Sequence, residues 1–119
     1  SGCDETLKRM NRRYTTKEYK ERVDMIRKAF PDAAITTDVI TGFPGETEEE
    51  FNNTYEYLKQ INLSKMHIFP YSIRKGTVAE KMEDQIEKHV KKERADKLIE
   101  LSLKNEILFF LLPYQICFF

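Results

Sequence analysis

Two short segments gather the residue types best suited to chemistry, Gly42-Phe43-Pro44-Gly45-Glu46-Thr47 and Pro70-Tyr71-Ser72-Ile73-Arg74. The first carries two glycines, which permit positive φ or close approach of another group, and it opens a helix N-terminus able to receive an anion. It lacks the Gly-Lys-Ser/Thr ending of a phosphate-binding P-loop, so nucleoside triphosphate hydrolysis has no support. A plain strand-to-helix turn is the competing account. Asp38 stands inside an otherwise apolar stretch, where an unpaired carboxylate is costly. Its neighbours of the same parity, Thr36 and Ile40, point the same way. That direction is either a site or a structural salt bridge to a basic residue. His67 shares a face with Phe69 and Tyr71. A lone His on a strand is more often packed than catalytic, and no second ligand at metal spacing accompanies it. The two cysteines, Cys3 and Cys117, form no CxxC pair, zinc spacing or disulfide framework, which suggests a reducing compartment.

The elements that must position these residues alternate along the chain. Asp4 to Met10 suits a short helix, followed by a connector, Asn11 to Tyr14. Thr15 and Glu18 read as a reciprocal capping box, and Tyr19, Val23, Ile26 and Phe30 then recur at helical spacing as far as Pro31. Ala33 to Thr41 is rich in β-branched residues and apolar enough for a parallel strand buried on both faces. Thr47 and Glu50 form a second capping box, before Phe51, Tyr55, Leu58 and Ile61 on one helical stripe. Lys65 to Tyr71 is a second strand, Ser72 to Thr77 a loop, and Ile86 onward a long charged helix with Val90, Leu98 and Leu101 on one side. Strands about 30 residues apart with a helix between them are what a right-handed parallel crossover requires, so the class is α/β. Both strands are expected to be parallel neighbours, with the Thr15 and Thr47 helices on the same face. In a parallel α/β barrel the working loops leave the C-terminal ends of the strands, and both segments named above do so. A barrel of eight such units takes about 250 residues, so 119 residues supply roughly three or four. A barrel-like reading therefore makes this chain a fragment.

Composition narrows the partners. Twenty basic residues offset twenty acidic ones, which rules out overall charge as a source of affinity for nucleic acid or membrane. Between Leu7 and Lys28, however, nine bases face three acids. That segment either meets phosphate or is a solvated face balanced by Glu46 and Glu48 to Glu50. The apolar run from Ile107 to Phe119 has thirteen residues, short of the ~20 that span a bilayer, and Pro113 interrupts it. No charged-then-apolar leader opens the chain, and the expected location is cytoplasmic.

Several long strings, in order, resemble the radical-SAM methylthiotransferases. They are Ser1-Gly2-Cys3-Asp4, Leu7 through Thr15 (LKRMNRRYT), Ile35 through Thr47 (ITTDVITGFPGET), His67 through Ser72 (HIFPYS) and Gly76-Thr77. The likeness runs to about Asn105, and HIFPYS is most similar to the branch acting on threonylcarbamoyladenosine in tRNA. The isopentenyladenosine and ribosomal-protein branches fit that string less well. The resemblance implies a partial six-unit (β/α) barrel, TIM-like, with parallel strands and outer helices, of which residues 1–105 form the C-terminal half. It implies S-adenosylmethionine and a [4Fe–4S] cluster as cofactors, and methylthiolation of carbon 2 of adenosine 37 beside the tRNA anticodon. On that reading Asp38, Gly42, Phe43, Phe69 and Tyr71 line the S-adenosylmethionine side. The cluster-binding CxxxCxxC motif is not in this sequence, so no metal ligand or catalytic residue is expected here and the chain alone is expected to be inactive. Val78 and Glu83 stand where the family commonly has proline, and residues 106–119 form an apolar tail unlike the family. The alternative is a non-catalytic module that binds RNA through the basic segment or a protein through the tail. Either way, exposed sheet edges and the tail predict self-association.

Overall fold

The computed structural model describes residues 1–118, with side chains described through Phe109. The order is α1 (Asp4–Arg9), α2 (Thr16–Ala29), β1 (Thr36–Thr41), α3 (Glu48–Ile61), β2 (Lys65–Pro70), a 3-10 turn (Ala79–Lys81) and α4 (Lys88–Phe118). The strands pair in parallel, with Thr36 opposite Lys65 and Thr41 opposite Pro70. They form a two-stranded sheet, and no closed barrel exists among the described residues.

Alternation sorts the strand residues onto two unlike faces. Val39, Thr41 and Met66 are buried toward the helices, whereas Thr36, Asp38, His67 and Phe69 are exposed on the opposite face. Burial of β1 on both faces, expected from its composition, is therefore not met. All the helices that cover the sheet lie on the Val39 side, and α2 and α3 share it as expected. Val23 of α2, Phe51, Leu58 and Ile61 of α3, and Leu98 and Leu101 of α4 join Val39 and Met66 in one core. β1 also starts later than expected, at Thr36. Ala33 is drawn into a turn by its bond to the Phe30 carbonyl, and Ile35 is clamped to Ser64 on both its N–H and C=O.

The helix boundaries follow their caps. The Thr15 hydroxyl accepts from Glu18 N at 3.2 Å and the Thr47 hydroxyl from Glu50 N at 3.1 Å. Neither glutamate makes the return bond of a capping box. Glu50 turns instead to Thr6 and Arg9 of α1. α3 ends on Asn62 in the left-handed conformation, φ 54°, whose carbonyl accepts from Arg27 of α2. The α2 stripe is only partly covered, because Val23 is buried while Phe30 remains 66% exposed.

α4 begins at Lys88 rather than Ile86 and runs on past Pro113, which does not stop it. It lies along the outer edge of β2. There the Ser102 hydroxyl accepts from Met66 N at 2.9 Å and donates to Met66 O at 3.3 Å, taking the place of a further strand. Tyr71 N reaches Thr41 O, so odd-numbered residues of β2 face β1 and Met66, Ile68 and Pro70 face outward. Pro70 has no N–H to offer at that edge. Among the described residues no bond from outside the sheet reaches Thr36, Asp38 or Ile40 on the outer edge of β1. No helix of the described residues is long and apolar enough to cross a membrane. Asn105 is buried, and Ile107 and Leu108 are exposed. The expected tail lies outside the described side chains from residue 110.

Candidate functional site

The Gly42–Thr47 loop is held from three directions. Gly42 has φ +70°, and a Cβ there would stand 2.1 Å from Lys91 Cγ, so the backbone rests on the lysine stem. Gly45 has φ +85° and packs on the Arg9 guanidinium. Arg9 Nε donates to Pro44 O at 3.1 Å, and Gly45 N donates to Asp84 O at 2.7 Å. Glu46 is folded back into the core. Its Oε1 accepts from Gly42 N at 3.0 Å and from Arg94 Nη1 at 2.9 Å, while Arg94 also reaches the Glu46 carbonyl and Glu48. Burial pushes the Glu46 carboxyl above its ordinary value, against the pull of Gly42 and Arg94. The loop is thus a fastening between α1, α3 and α4, with its glycines used for close packing.

The open face of the sheet presents the other candidates. Asp38 sits beside His67 in register and Ile40 beside Phe69. Asp38 makes no ion pair or hydrogen bond among the described residues, so the structural salt bridge has no partner there. It lines a hollow of ≈ 230 Å³ with Arg12, Tyr14, Ile40 and Phe69. Ile40 and Phe69 continue into a larger depression of ≈ 610 Å³, lined also by Pro70, Tyr71, Ser72 and Arg74. Phe69 is 54% exposed. Tyr71 presents a buried hydroxyl with no partner, its ring held edge-on by Phe43 at 5.4 Å. Asp38, Phe69 and Tyr71 therefore gather on one surface. Gly42 and Phe43 lie behind it and act through their neighbours.

Sequence reasoning missed Arg9, Arg12, Lys91 and Arg94. The last two sit in a charged run, Lys88 to Lys97, that reads as a solvated helix face; nothing local marks them as reaching a loop 48 residues away. The Arg9 pair is similar. Its guanidinium grips both Glu50 oxygens, and the Thr6 hydroxyl adds a bond at 2.9 Å. Arg9, then Thr6, hold the Glu50 carboxyl below its ordinary value against burial.

The donor set does not fit an iron–sulfur cluster. Cys3 is buried with its thiol bonded to Glu5 at 3.2 Å, and burial raises its pKa. A cluster needs several convergent thiolates, and no group of three potential metal ligands exists among the described residues. The open depression does fit a nucleoside-sized ligand. It has the volume of a small-molecule site, two aromatic rings for stacking and one unpartnered hydroxyl to orient what binds.

Comparison with known proteins agrees with these features. Residues 1–58 match the radical SAM superfamily model. The threonylcarbamoyladenosine tRNA methylthiotransferase of Bacillus subtilis is 52% identical over 102 residues, 86% of this chain and 23% of that protein. The tRNA-2-methylthio-N(6)-dimethylallyladenosine synthase of Thermoanaerobacter sp. (strain X514) is 48% identical over 104 residues, 87% of this chain and 22% of its own length. The synthase of the same name from Mycobacteroides abscessus is 50% identical over 102 residues, 86% of this chain and 20% of its own length. The chain spans about a quarter of the length of these relatives, and with its parallel pair and helix-covered face it belongs to the radical-SAM methylthiotransferase family.

Proposed function

We propose that this chain is one wall of the partial (β/α)6 barrel of a tRNA methylthiotransferase, its open sheet face turned to S-adenosylmethionine. The observation that carries the reading is the 52% identity to the threonylcarbamoyladenosine-specific relative across 86% of this chain. In the whole protein, S-adenosylmethionine with a [4Fe–4S] cluster held by other segments supplies the radical chemistry and the methyl group. This chain binds and orients. Phe69 and Tyr71 offer ring faces for an adenine, the Tyr71 hydroxyl offers a hydrogen bond, and Asp38 places a carboxylate on the floor of the adjoining hollow. Phe43 and Gly42 fix the ring of Tyr71 from behind. The product is methylthiolation of carbon 2 of (threonylcarbamoyl)adenosine 37, the partner is the anticodon stem-loop of tRNA, and the place is the cytoplasm.

The test is a graft. The aligned 102 residues of the Bacillus subtilis relative are replaced by those of this chain, in cells lacking their own enzyme. Mass spectrometry of tRNA nucleosides should then show the methylthiolated threonylcarbamoyladenosine. A folded chimera that binds its cluster yet leaves that nucleoside unmodified overturns the reading. Retention of RNA without S-adenosylmethionine binding would instead favour a non-catalytic module built on the basic Leu7–Lys28 segment.

A further inference from the structure

We infer that Lys91 and Tyr71 form a subsite for one anionic group, a phosphate or a carboxylate, at the loop end of the sheet. Lys91 is only 9% exposed, yet its ammonium has no hydrogen-bond or ion-pair partner among the described residues. Its one contact with π density is the Tyr71 ring, 5.5 Å from ammonium to centroid. A charge so enclosed and so poorly compensated calls for a counter-charge.

Both side chains are held in place. The Lys91 stem fills the space that a Cβ on Gly42 would occupy, and its carbonyl accepts from the Thr41 hydroxyl at 3.1 Å. Tyr71 is anchored by its N–H to Thr41 O at 2.8 Å and by the edge contact with Phe43, and its buried hydroxyl is unpartnered. Nearby charge favours the same sign. α4 opens with Lys88, Lys91 and Lys92 and has no acid in its first turn, so the positive end of the helix is left unneutralised. The depression lined by Tyr71 provides the approach, and Arg74 lies on its rim. A phosphodiester of RNA and a carboxylate on a small ligand present the same chemistry to such a pair. This site goes beyond the cofactor-facing reading, which assigns nothing to Lys91.

The 119-residue chain, isotopically labelled, is titrated with inorganic phosphate at low salt while the side-chain resonances of Lys91 and Tyr71 are followed. Saturable shifts of both are expected, with affinity falling at least tenfold in Lys91→Met. Lys91→Arg, which keeps the cation, should retain binding, as should Lys92→Met, which alters the exposed neighbour. Displacement of phosphate by a short single-stranded oligoribonucleotide identifies an RNA backbone as the source. Displacement by S-adenosylmethionine identifies a carboxylate. The inference is overturned if phosphate, oligoribonucleotide and S-adenosylmethionine all leave Lys91 and Tyr71 unshifted, or if Lys92→Met loses as much as Lys91→Met. Should Lys91→Met not fold, Lys91→Arg and Lys92→Met still decide between these results. Phosphate shifts that persist when S-adenosylmethionine fails to bind would sink the cofactor reading and leave this site standing.

Discussion

Gly42 meets two demands at once, a left-handed backbone and the absence of a Cβ where Lys91 passes. Gly42→Ala should therefore cost about 1–3 kcal/mol, the scale of a non-glycine residue held at positive φ, as read from urea unfolding. Glu50 carries a pH signature. Its carboxyl is depressed by Arg9 and Thr6, so its contribution is present above the ordinary carboxylate range and is lost as pH falls through the lower, folded value. Glu50→Gln should destabilise by roughly 1.5–3 kcal/mol at neutral pH. The gap to the parent chain should close on acidification; a gap that widens instead would mean that Arg9 is not the source. Asp38 shows what parity can and cannot tell. Alternation placed it correctly with Thr36 and Ile40, but whether a basic side chain met it depended on contacts across the fold. Lys91 and Arg94 were illegible for the same reason. Their partners lie about fifty residues away, and their local context is ordinary charged helix.

Helices and strands were the more legible scale, because their signals are local. Thr15 and Thr47 cap as their spacing predicts, and Asn62 supplies the left-handed stop. The return bonds were lost because Glu50 found a stronger partner in Arg9, a competition that sequence spacing does not contain. The face of β1 misled for a related reason. Val39, Ile40 and Thr41 look uniformly apolar, yet helices cover only the side that Val39 and Thr41 occupy. α4 is tied to the strand-end loop by Arg94 and Glu46, 5% and 2% exposed. Removing one partner strands a buried charge, so Arg94→Met should cost about 3–5 kcal/mol. Replacing both, as Arg94→Met with Glu46→Leu, should recover much of it in a double-mutant cycle followed by helical circular dichroism. Equal losses in the single and double variants would show that Arg94 matters for its packing alone.

At the scale of the molecule, two cysteines cannot furnish the thiolates of a [4Fe–4S] cluster. Anaerobic treatment with iron and sulfide should therefore leave the chain colourless, and a stable brown species on the monomer would contradict this. That the chain is a segment was visible in its length. Where its sheet ends was not, because the stop is made by Ser102, a hydroxyl in a helix with no strand signature. Ser102 and Pro70 together leave the β2 edge with little to template, whereas the β1 edge keeps Thr36, Asp38 and Ile40 free. The chain is thus monovalent as a building block. Two copies meeting edge to edge through β1 form a closed two-fold pair in which each has consumed its only adhesive side. Growth terminates at the dimer, and sedimentation should find a second species of twice the monomer mass rather than a ladder or a fibre.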